Sequence, residues 1–467
     1  MTEPEDYKGP TEFVHLHSHT IFSPLDGVAS PSDYAEVCAE RGYPGMAVTE
    51  HGNMASVPDM YFEFKKRGLK NIAGCEIYFN DYEPWRQKFA AEGGKITKLK
   101  ESDPDLHARL NRNRHVTVLV KNETGFHNLI KLTTLAHEFG FYRQPRIWFD
   151  KLAEYKEGLI VLSGCLNGPI SYELWLDFHR KAETGKPAPR NHELDMNAIQ
   201  IAKRFHKVFG DDFFLEVQMP GLPQENDHKI FWTIVKIAEK LGIRVVLTND
   251  SHYLRREDFY IQTIMMAVDQ KKPVTDPSLF IPNSDDQYFK TRGELWATFK
   301  DGLYSKHVSD TTFEQMCDNT LLICDRCEYL KPDTNFKIPD WSSVKPGTDA
   351  GKELRKLVAK ELKRRGLHKV AKKYRVDGKD VTYVEQAKIE LDRFIDKGFA
   401  SYFLITQDLI NYGRKQGWPF GPRGSAGGSL VCFLLGIHCL DPLKWELSFD
   451  RFMASSRGGY MLKVKME

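Results

Sequence analysis

Short apolar runs recur along the first 250 or so residues, and polar segments with helical spacing separate them. "EFVHLHSHT" alternates as a β-strand does, and "PSDYAEVCAERG" has the Ser/Asp start and Gly stop of a helix. Six further strand-like runs follow: "GMAVTEHGN", "NIAGCEIYF", "HVTVLVKN", "GLIVLSGC", "FFLEVQM" and "RVVLTNDSHYL". Strands that alternate with helices in this way predict an α/β barrel, in which the C-terminal strand ends carry the chemistry.

Side chains that bind transition metals lie at the predicted strand ends. A lone histidine in a strand is usually a structural residue, but nine such residues on successive strand ends predict one cluster. Imidazole, carboxylate and thiolate together suit Zn, Mn or Fe better than Mg or Ca. His15 shares a strand face with His17 and His19 and lies deeper in the strand, so we expect it to support these two residues. The nine are His17, His19, Asp26, His51, Glu76, His115, Cys165, Asp250 and His252.

Length and charge limit the class of protein. A chain of 467 residues predicts two or three domains, and a net charge of +2 requires any basic surface to be local. The start "MTEPEDYKGP" lacks the apolar core of a secretory signal, and "SLVCFLLGIHCL" is too short to span a membrane. We therefore expect a cytoplasmic protein without a membrane partner. The single CxxC, Cys324 and Cys327, lies in an amphipathic helical pattern, which disfavours a zinc ribbon.

Together the strand-end segments resemble a known family. The HxH pair, the following Asp-Gly, "TEHGNM", "GCEIYF", "LSGC" and "NDSHYL" resemble the polymerase and histidinol phosphatase (PHP) domain, and more narrowly that of the family C replicative polymerases of bacteria. All nine positions hold a competent ligand, although Glu50 stands where the family has aspartate. The resemblance implies a distorted (β/α)7 barrel with up to three divalent ions. It also implies 3′-to-5′ exonuclease or phosphoesterase catalysis by the nine residues.

The same reasoning divides the chain into three parts. The PHP barrel is expected over residues 11–270, with surface insertions at about 79–114 and 177–195. A connecting segment is expected over 271–345, and basic helices with a mixed α+β portion over 346–467. Twelve Lys and Arg stand against three acidic residues between Lys345 and Arg375, a density that suits a phosphate backbone.

The last part carries a second set of motifs. "GFASYFLITQDLI", "GPRGSAGGSL", "LDPL" and "FDRFM" resemble the start of the family C palm. A glycine-rich turn before an apolar helix can cradle phosphate with its backbone N–H groups. The resemblance assigns Gly424 and Ser425 to the triphosphate of the incoming nucleotide, with Arg423 as a further phosphate contact.

The polymerase metal site is not expected in this chain. Family C palms carry an Asp-x-Asp pair shortly after the "FDRFM" element, and "SSRGGYMLKVKME" contains none. Synthesis with Mg would therefore need a second polymerase chain or further sequence, carrying the rest of the palm, the thumb and fingers and the contact to a sliding clamp. The chain would then be a fragment or a split subunit, in a bacterial cytoplasm or a phage-infected host.

Three roles remain open from the sequence. The first is DNA-directed DNA synthesis on primer–template DNA with dNTP, completed in trans. The second is a stand-alone metal-dependent phosphoesterase or exonuclease, and the third is a non-catalytic DNA-binding scaffold. The intact ligand set speaks against the third role, and the palm motifs speak against the second.

Overall fold

The computed structural model describes most of the chain in two compact units. The described residues are 4, 6–188, 190–192, 194–219, 225–281, 284–301, 303–328, 330–332, 339–341, 345–419, 421 and 424–454. The units comprise residues 1–332 and 333–467.

The first unit alternates strands and helices along most of its length. Its described strands are β1 (Gly45–Val48), β2 (Lys70–Phe79), β3 (Arg114–Val120), β4 (Phe141–Tyr142), β5 (Gln144–Ile147), β6 (Leu159–Leu162), β7 (Phe213–Gln218) and β8 (Val245–Thr248). Its described helices are α1 (Pro31–Glu40), α2 (Val57–Lys66), α3 (Glu83–Ala91), α4 (Ile96–Ser102), α5 (Pro104–Asn111), α6 (Glu123–Glu138), α7 (Phe149–Glu154), α8 (Pro169–Thr184), α9 (Ala198–Phe209), α10 (Glu225–Leu241), α11 (Phe259–Asp269), α12 (Arg292–Asp301) and α13 (Asp310–Arg326).

The strands form one sheet. Its backbone order is β1-β2-β3-β6-β7-β8, and β5 extends the edge of β2 beyond β1. Most pairs are parallel, but β3 runs antiparallel to both β2 and β6. The N-terminal end of β3 therefore lies beside the C-terminal ends of its neighbours. This reversal explains why His115 begins its strand, whereas the other predicted ligands follow theirs.

The segment predicted as the first strand, "EFVHLHSHT", is extended but irregular. It forms only an isolated bridge at Ser18, to Ser251 beyond β8. The carbonyl oxygen of His15 accepts from the N–H of Ala47 in β1, and the N–H of His19 donates to Ser251. The segment thus connects β1 and the end of β8, the two edges of the sheet, as the seventh strand-like element of the barrel. The predicted distorted barrel is confirmed.

Two apolar clusters cover opposite faces of the sheet. The outer cluster contains strand residues and the surrounding helices. The inner cluster contains alternate strand residues together with the end of α13, including Cys324 and Cys327. Both cysteine side chains are buried in this cluster, as the amphipathic pattern predicts. The inner strand residues are Val14, Leu16, Ala47, Ile72, Leu119, Ile160, Leu162, Phe214 and Val246.

The first insertion is more ordered than its polar sequence predicts. It forms α3, α4 and α5, which enclose a small apolar cluster of their own around Tyr82, Leu106 and Leu110. Glu83 is fully buried and pairs with Arg146, so an ion pair fastens α3 to β5. Because apolar residues are sparse in this segment, its helical packing was not evident from the sequence. In the second insertion, α8 continues to Thr184.

Residues 271–332 differ from the expected connecting segment. The described helices α12 and α13 pack on the barrel, and Leu295, Phe299, Phe313 and Met316 belong to its outer cluster. They fall within the first compact unit, which extends to residue 332 rather than 270. The boundary was placed too early because the polar stretch before Arg292 resembles a linker.

The second unit is mainly helical. It contains α14 (Ala350–Arg364), α15 (Tyr383–Asp396), α16 (Ala400–Lys415), α17 (Leu430–Leu434) and α18 (Asp450–Met453), with a hairpin of β9 (Tyr374–Val376) and β10 (Lys379–Val381). Helix α14 buries Leu354, Val358 and Leu362 at a helical spacing and turns its basic residues outwards. None of the described helices in either unit has the length and apolar character needed to cross a membrane.

We expect Phe205→Ala to destabilise the first unit. The ring is buried and contacts Phe79, Phe149 and Phe213 between α9 and the sheet. Truncation leaves a cavity, which should lower the free energy of unfolding by about 3–5 kcal/mol, as measured by denaturant unfolding. Phe139→Ala is the control, because that ring is 60% exposed and should change the value little. Equal effects of the two substitutions would contradict the packing described.

Candidate metal centre

Alternation along the strands leads from the inner apolar cluster directly to the predicted ligands. Further towards the opening of the barrel, the same strand face becomes polar. On β2 this face runs from Ile72 to Glu76, and on β3 it runs from Leu119 through Thr117 to His115. The structure brings all nine predicted residues together at this end. Seven of them form three groups of donor atoms that share members. Asp26 contacts His51 of these groups, and Cys165 contacts Glu76.

Glu76 lies at the centre of the cluster. Its Oε1 lies 3.2 Å from His17 Nε2, 2.8 Å from His115 Nδ1 and 3.6 Å from Cys165 Sγ. Its Oε2 lies 2.6 Å from His51 Nδ1. The two oxygens thus face different sets of donors, and Glu76 connects them.

Asp250 serves the first pair of histidines. Its Oδ1 lies 3.3 Å from the Nε2 atoms of both His17 and His19. The backbone of Asp250 has a φ of +49°, a left-handed conformation that is uncommon for a residue other than glycine. This turn after β8 directs the carboxylate to the histidines, which fits the rule that unusual backbone conformations cluster at functional sites.

Asp26 serves the outer pair of histidines. Its Oδ2 lies 3.0 Å from His51 Nε2 and 3.3 Å from His252 Nε2. Its other oxygen accepts a hydrogen bond of 2.8 Å from the Gln262 amide on α11. The Nδ1 atom of His252 is 2.8 Å from the carbonyl oxygen of Asp250. This contact turns Nε2 of His252 towards the cluster.

Glu216 on β7 is a functional residue that sequence reasoning missed. It is fully buried behind His17, and its Oε1 lies 2.7 Å from His17 Nδ1. Its carboxylate also accepts from the hydroxyls of Thr117 and Thr248 and from the N–H of Gly164. With Nδ1–H donated to Glu216, the lone pair of Nε2 is free for a metal. A glutamate on the inward face of the apolar run "FFLEVQM" was the available signal.

A second buried carboxylate, Glu50, orients His19 through Ser23. The Ser23 hydroxyl donates to Glu50, and its oxygen lies 2.8 Å from His19 Nδ1. The Thr20 hydroxyl and N–H also donate to Glu50. Because Ser23 gives its proton to Glu50, His19 donates Nδ1–H to Ser23 and presents Nε2 to the cluster. Glu50, which replaces the aspartate of the family pattern, therefore has a structural role beside His51.

The donor set fits divalent metal ions. Five buried polar atoms of the cluster have no hydrogen-bond partner among the described residues, although oppositely charged atoms lie close by. Buried polar atoms without partners are rare because each is costly to desolvate. Bound cations would satisfy these atoms, and mixed imidazole, carboxylate and thiol donors favour a transition metal. The five atoms are His17 Nε2, His19 Nε2, His51 Nδ1, Glu76 Oε2 and Asp250 Oδ1.

Neighbouring carboxylates raise the pKa values of two histidines in the cluster. Burial opposes protonation of His51 and His252, but the Glu76 and Asp26 carboxylates outweigh it, raising the pKa of His51 to about 10. Asp26 and Asp250 likewise raise the pKa of His252 to about 9. Strongly shifted pKa values in one cleft are typical of functional sites.

His15 lies outside the donor groups, as expected. Its Nε2 donates to the carbonyl oxygen of Lys290, and its ring stacks on Phe289 with centroids 3.8 Å apart. Burial lowers the pKa of His15 to about 3, so the ring is neutral. Its other nitrogen is 3.4 Å from Ser251 Oγ, between the ligands Asp250 and His252. His15 therefore supports the turn that carries them.

The predicted nucleotide-binding residues belong to the second unit. Gly424 and Ser425 are exposed in a 3-10 turn, Gly424–Gly428, and Gly424 has a φ of +72°. Arg423 lies outside the described residues. The position of the turn agrees with the predicted cradle, but its assignment to a nucleotide stays a prediction.

Sequence comparisons give two family matches. The family model of the PHP domain matches residues 15–220. Residues 15–220 form a PHP domain. A second model, described as the bacterial DNA polymerase III alpha NTPase domain, matches residues 352–460. A putative metal-dependent phosphoesterase from Bifidobacterium adolescentis covers 52% of this chain and 88% of its own, with 15% identity and a TM-score of 0.28.

Curated relatives match nearly the whole chain. The DNA polymerase III subunit alpha of Aquifex aeolicus is 33% identical over 96% of this chain and 35% of its own length. That of Treponema pallidum is 31% identical over 95% and 33%, and that of Thermus aquaticus is 31% identical over 96% and 37%. The resemblance to the family C alpha subunits is confirmed. The PHP-containing chain spans about a third of the length of these relatives.

We expect Glu216→Gln to weaken metal binding by the PHP domain. The amide cannot accept from every donor that Glu216 accepts from, so His17 loses its fixed orientation. Changes of this kind behind a ligand typically lower metal affinity about 10–100-fold. Competition with a fluorescent chelator measures the affinity, and exposed Glu157 changed to Gln is the control. An affinity unchanged in Glu216→Gln would contradict the orienting role.

Proposed function

We propose that the chain is the front part of a replicative DNA polymerase III alpha subunit, and that its PHP centre hydrolyses phosphodiester bonds as a 3′-to-5′ exonuclease. The observation that carries the hydrolytic role is the complete nine-residue donor cluster with its five unsatisfied atoms. A domain kept only as a scaffold would not require buried carboxylates and imidazoles aimed at one another. DNA-directed synthesis rests on the relatives, which are about three times longer.

The ligands divide into three metal subsites in this proposal. His17, His19, Glu76 and Asp250 would hold one ion, Glu76, His115 and Cys165 a second, and Asp26, His51 and His252 a third. The contacts of Asp250 with His17, of His115 with Glu76 and of Asp26 with His252 support this division. His51 also faces Glu76 Oε2 through Nδ1 at 2.6 Å and so lies between two of the subsites. We assign Zn, Mn or Fe to these subsites on the basis of their nitrogen and sulfur donors.

The reaction would be phosphodiester hydrolysis. Bound divalent ions supply Lewis-acid polarisation of the phosphate and a water of lowered pKa. The protein holds the donors rigidly: Glu216 fixes His17, and Ser23 with Glu50 fixes His19. Glu76 would contribute to two of the subsites, because its carboxylate faces both His17 and His115. Asp26 lies at the partly exposed side of the cluster, where substrate would enter, and the hydrogen bond from Gln262 fixes its carboxylate.

The second unit would bind DNA and dNTP. Lys356, Lys360 and Lys363 are exposed along one side of α14, opposite its buried apolar residues. By contrast, Arg355 pairs with Asp392, and Arg364 pairs with Glu361. The exposed lysines are therefore suited to DNA phosphates. Gly424, Ser425 and Arg423 would contact the triphosphate, with Mg and the remaining palm, thumb, fingers and clamp contact supplied by a partner chain or further sequence.

The alternative is a free-standing phosphoesterase that takes no part in synthesis. The completeness of the ligand cluster favours this second candidate as much as the first for the PHP domain alone. The match of residues 352–460 to the polymerase model favours the first. Synthesis by the chain together with a protein carrying the Asp-x-Asp element would distinguish them.

We expect His17→Ala combined with Asp250→Ala to remove metal and nuclease activity. The unaltered chain should hold about two to three transition-metal ions and degrade single-stranded primers with Mn. The double variant should lose at least one ion by elemental analysis and more than about a hundredfold of the activity, because both residues would be direct ligands. The control is His127→Ala with Asp150→Ala, both exposed. Full metal content in the double variant would contradict the ligand assignment.

We expect Lys356, Lys360 and Lys363, changed together to Ala, to weaken DNA binding in a salt-dependent manner. Each phosphate contact contributes about 0.9 to the slope of log affinity against log salt, so the slope should flatten by up to about 2.7. Fluorescence anisotropy with primer–template DNA measures it. The control changes three exposed lysines of the first unit, Lys203, Lys207 and Lys240. A slope equal to that of the unaltered chain would exclude these lysines from the interface.

A further inference from the structure

A fully buried carboxylate lies behind the glycine-rich turn of the second unit. Glu390 on α15 accepts four hydrogen bonds, two at each oxygen. Oε1 accepts from the Gln386 amide at 2.9 Å and from the N–H of Leu430 at 3.0 Å. Oε2 accepts from the Ser429 hydroxyl at 2.7 Å and from the N–H of Val431 at 2.9 Å. Four donors match the acceptor sites of one ionised carboxylate, so the network is complete.

This network satisfies the start of α17. The N–H groups of Leu430 and Val431 point to Glu390, and that of Cys432 donates to the Ser429 side chain. The N–H of Phe433 donates to the carbonyl oxygen of Ser429. A helix start normally offers such groups to an anion, but here a glutamate of the same chain already occupies them. The helix start is therefore not available to a second anion.

What remains for an anion is the turn that precedes the helix. Gly424 and Ser425 are exposed, whereas Gly428 is buried against the backbone. A Cβ at Gly428 would lie 2.4 Å from the carbonyl oxygen of Ser448, so only glycine fits there. His438 donates to the carbonyl oxygen of Ser429 from the other side. The rear of the turn is thus fixed on three sides, and its front faces solvent.

We propose that Glu390 is a positioning residue for nucleotide binding: it acts as the resident anion of α17, fixes Ser429 and thereby holds Gly424 and Ser425 in the conformation that meets the triphosphate. This inference rests on the proposed binding of dNTP by the turn. It adds that the phosphates contact the turn itself and are excluded from the helix start. Glu390 does not touch the nucleotide.

The test compares Glu390→Gln with Asp392→Asn in the full chain. Both changes replace a carboxylate by an amide on α15, but Asp392 is 44% exposed. Loss of buried charge-assisted bonds should weaken dNTP binding with Mg, measured by calorimetry, about tenfold or more. Binding of primer–template DNA should stay within about twofold, and amide exchange at residues 429–432 should quicken. Asp392→Asn should match the unaltered chain in dNTP binding and in amide exchange at residues 429–432.

Other outcomes separate the possible failures. No dNTP binding by the unaltered chain would contradict the proposed nucleotide site, whatever Glu390 does. Unchanged dNTP binding in Glu390→Gln, when the unaltered chain binds, would overturn the positioning role. Equal losses of dNTP and DNA binding would reduce Glu390 to a general structural residue and also overturn it. If Glu390→Gln does not fold, Ser429→Ala removes one of the four bonds and should give a smaller loss of dNTP binding alone.

Discussion

The burial of the Glu76 carboxylate among imidazoles is the constraint on which the rest of the PHP domain depends. A charged group removed from water is costly unless opposite charge and hydrogen bonds replace its hydration. Here five donor side chains approach Glu76, yet Oε2 has no hydrogen bond among the described residues. The arrangement is stable as a cation site and unfavourable as an ordinary core. The surrounding barrel must therefore hold together carboxylates and imidazoles that would have a lower free energy if they were apart and exposed to water.

The barrel achieves this by extending one strand face from apolar to polar. The inner residues Ile72, Leu119 and Phe214 pack below, and Glu76, Thr117 and Glu216 follow at the alternate positions above. Rigid strands then fix the ligands with little freedom for collapse, which is the support a precise site requires. Because β3 is antiparallel to β2, its N-terminal end lies at the open end of the barrel and brings His115 into the cluster. The same layer places Glu216 where it can orient His17.

The pattern of apolar runs was sufficient to predict the seven strand-like segments of the barrel and to place nine candidate ligands at their ends, but not how each side chain is held. His115 begins its predicted strand, whereas the other candidate ligands follow theirs, and the sequence pattern does not show the direction in which a strand runs. The antiparallel orientation of β3 explains the difference. Glu216 was passed over because a single glutamate in an apolar strand looks the same whether it faces solvent or a histidine. The helices of the first insertion were missed because their small core draws on residues distant in sequence, including Leu194.

The balance of donors and acceptors around each buried carboxylate separates groups that the sequence cannot distinguish. Glu216 on a strand and Glu390 on a helix are both buried glutamates, and N–H and O–H donors from the protein meet both of their oxygens. They hold other residues in place and leave nothing for a ligand. Glu76 and Asp250 each retain a buried oxygen without such a donor. A buried anion without matching donors is destabilising by itself, so Glu76 and Asp250 imply a bound cation. Glu216 and Glu390, whose oxygens all have donors, have a structural role. By the same criterion the start of α17 already has its anion, because the N–H groups of Leu430 and Val431 donate to Glu390. The proposed phosphate contact is therefore left to the exposed turn before the helix.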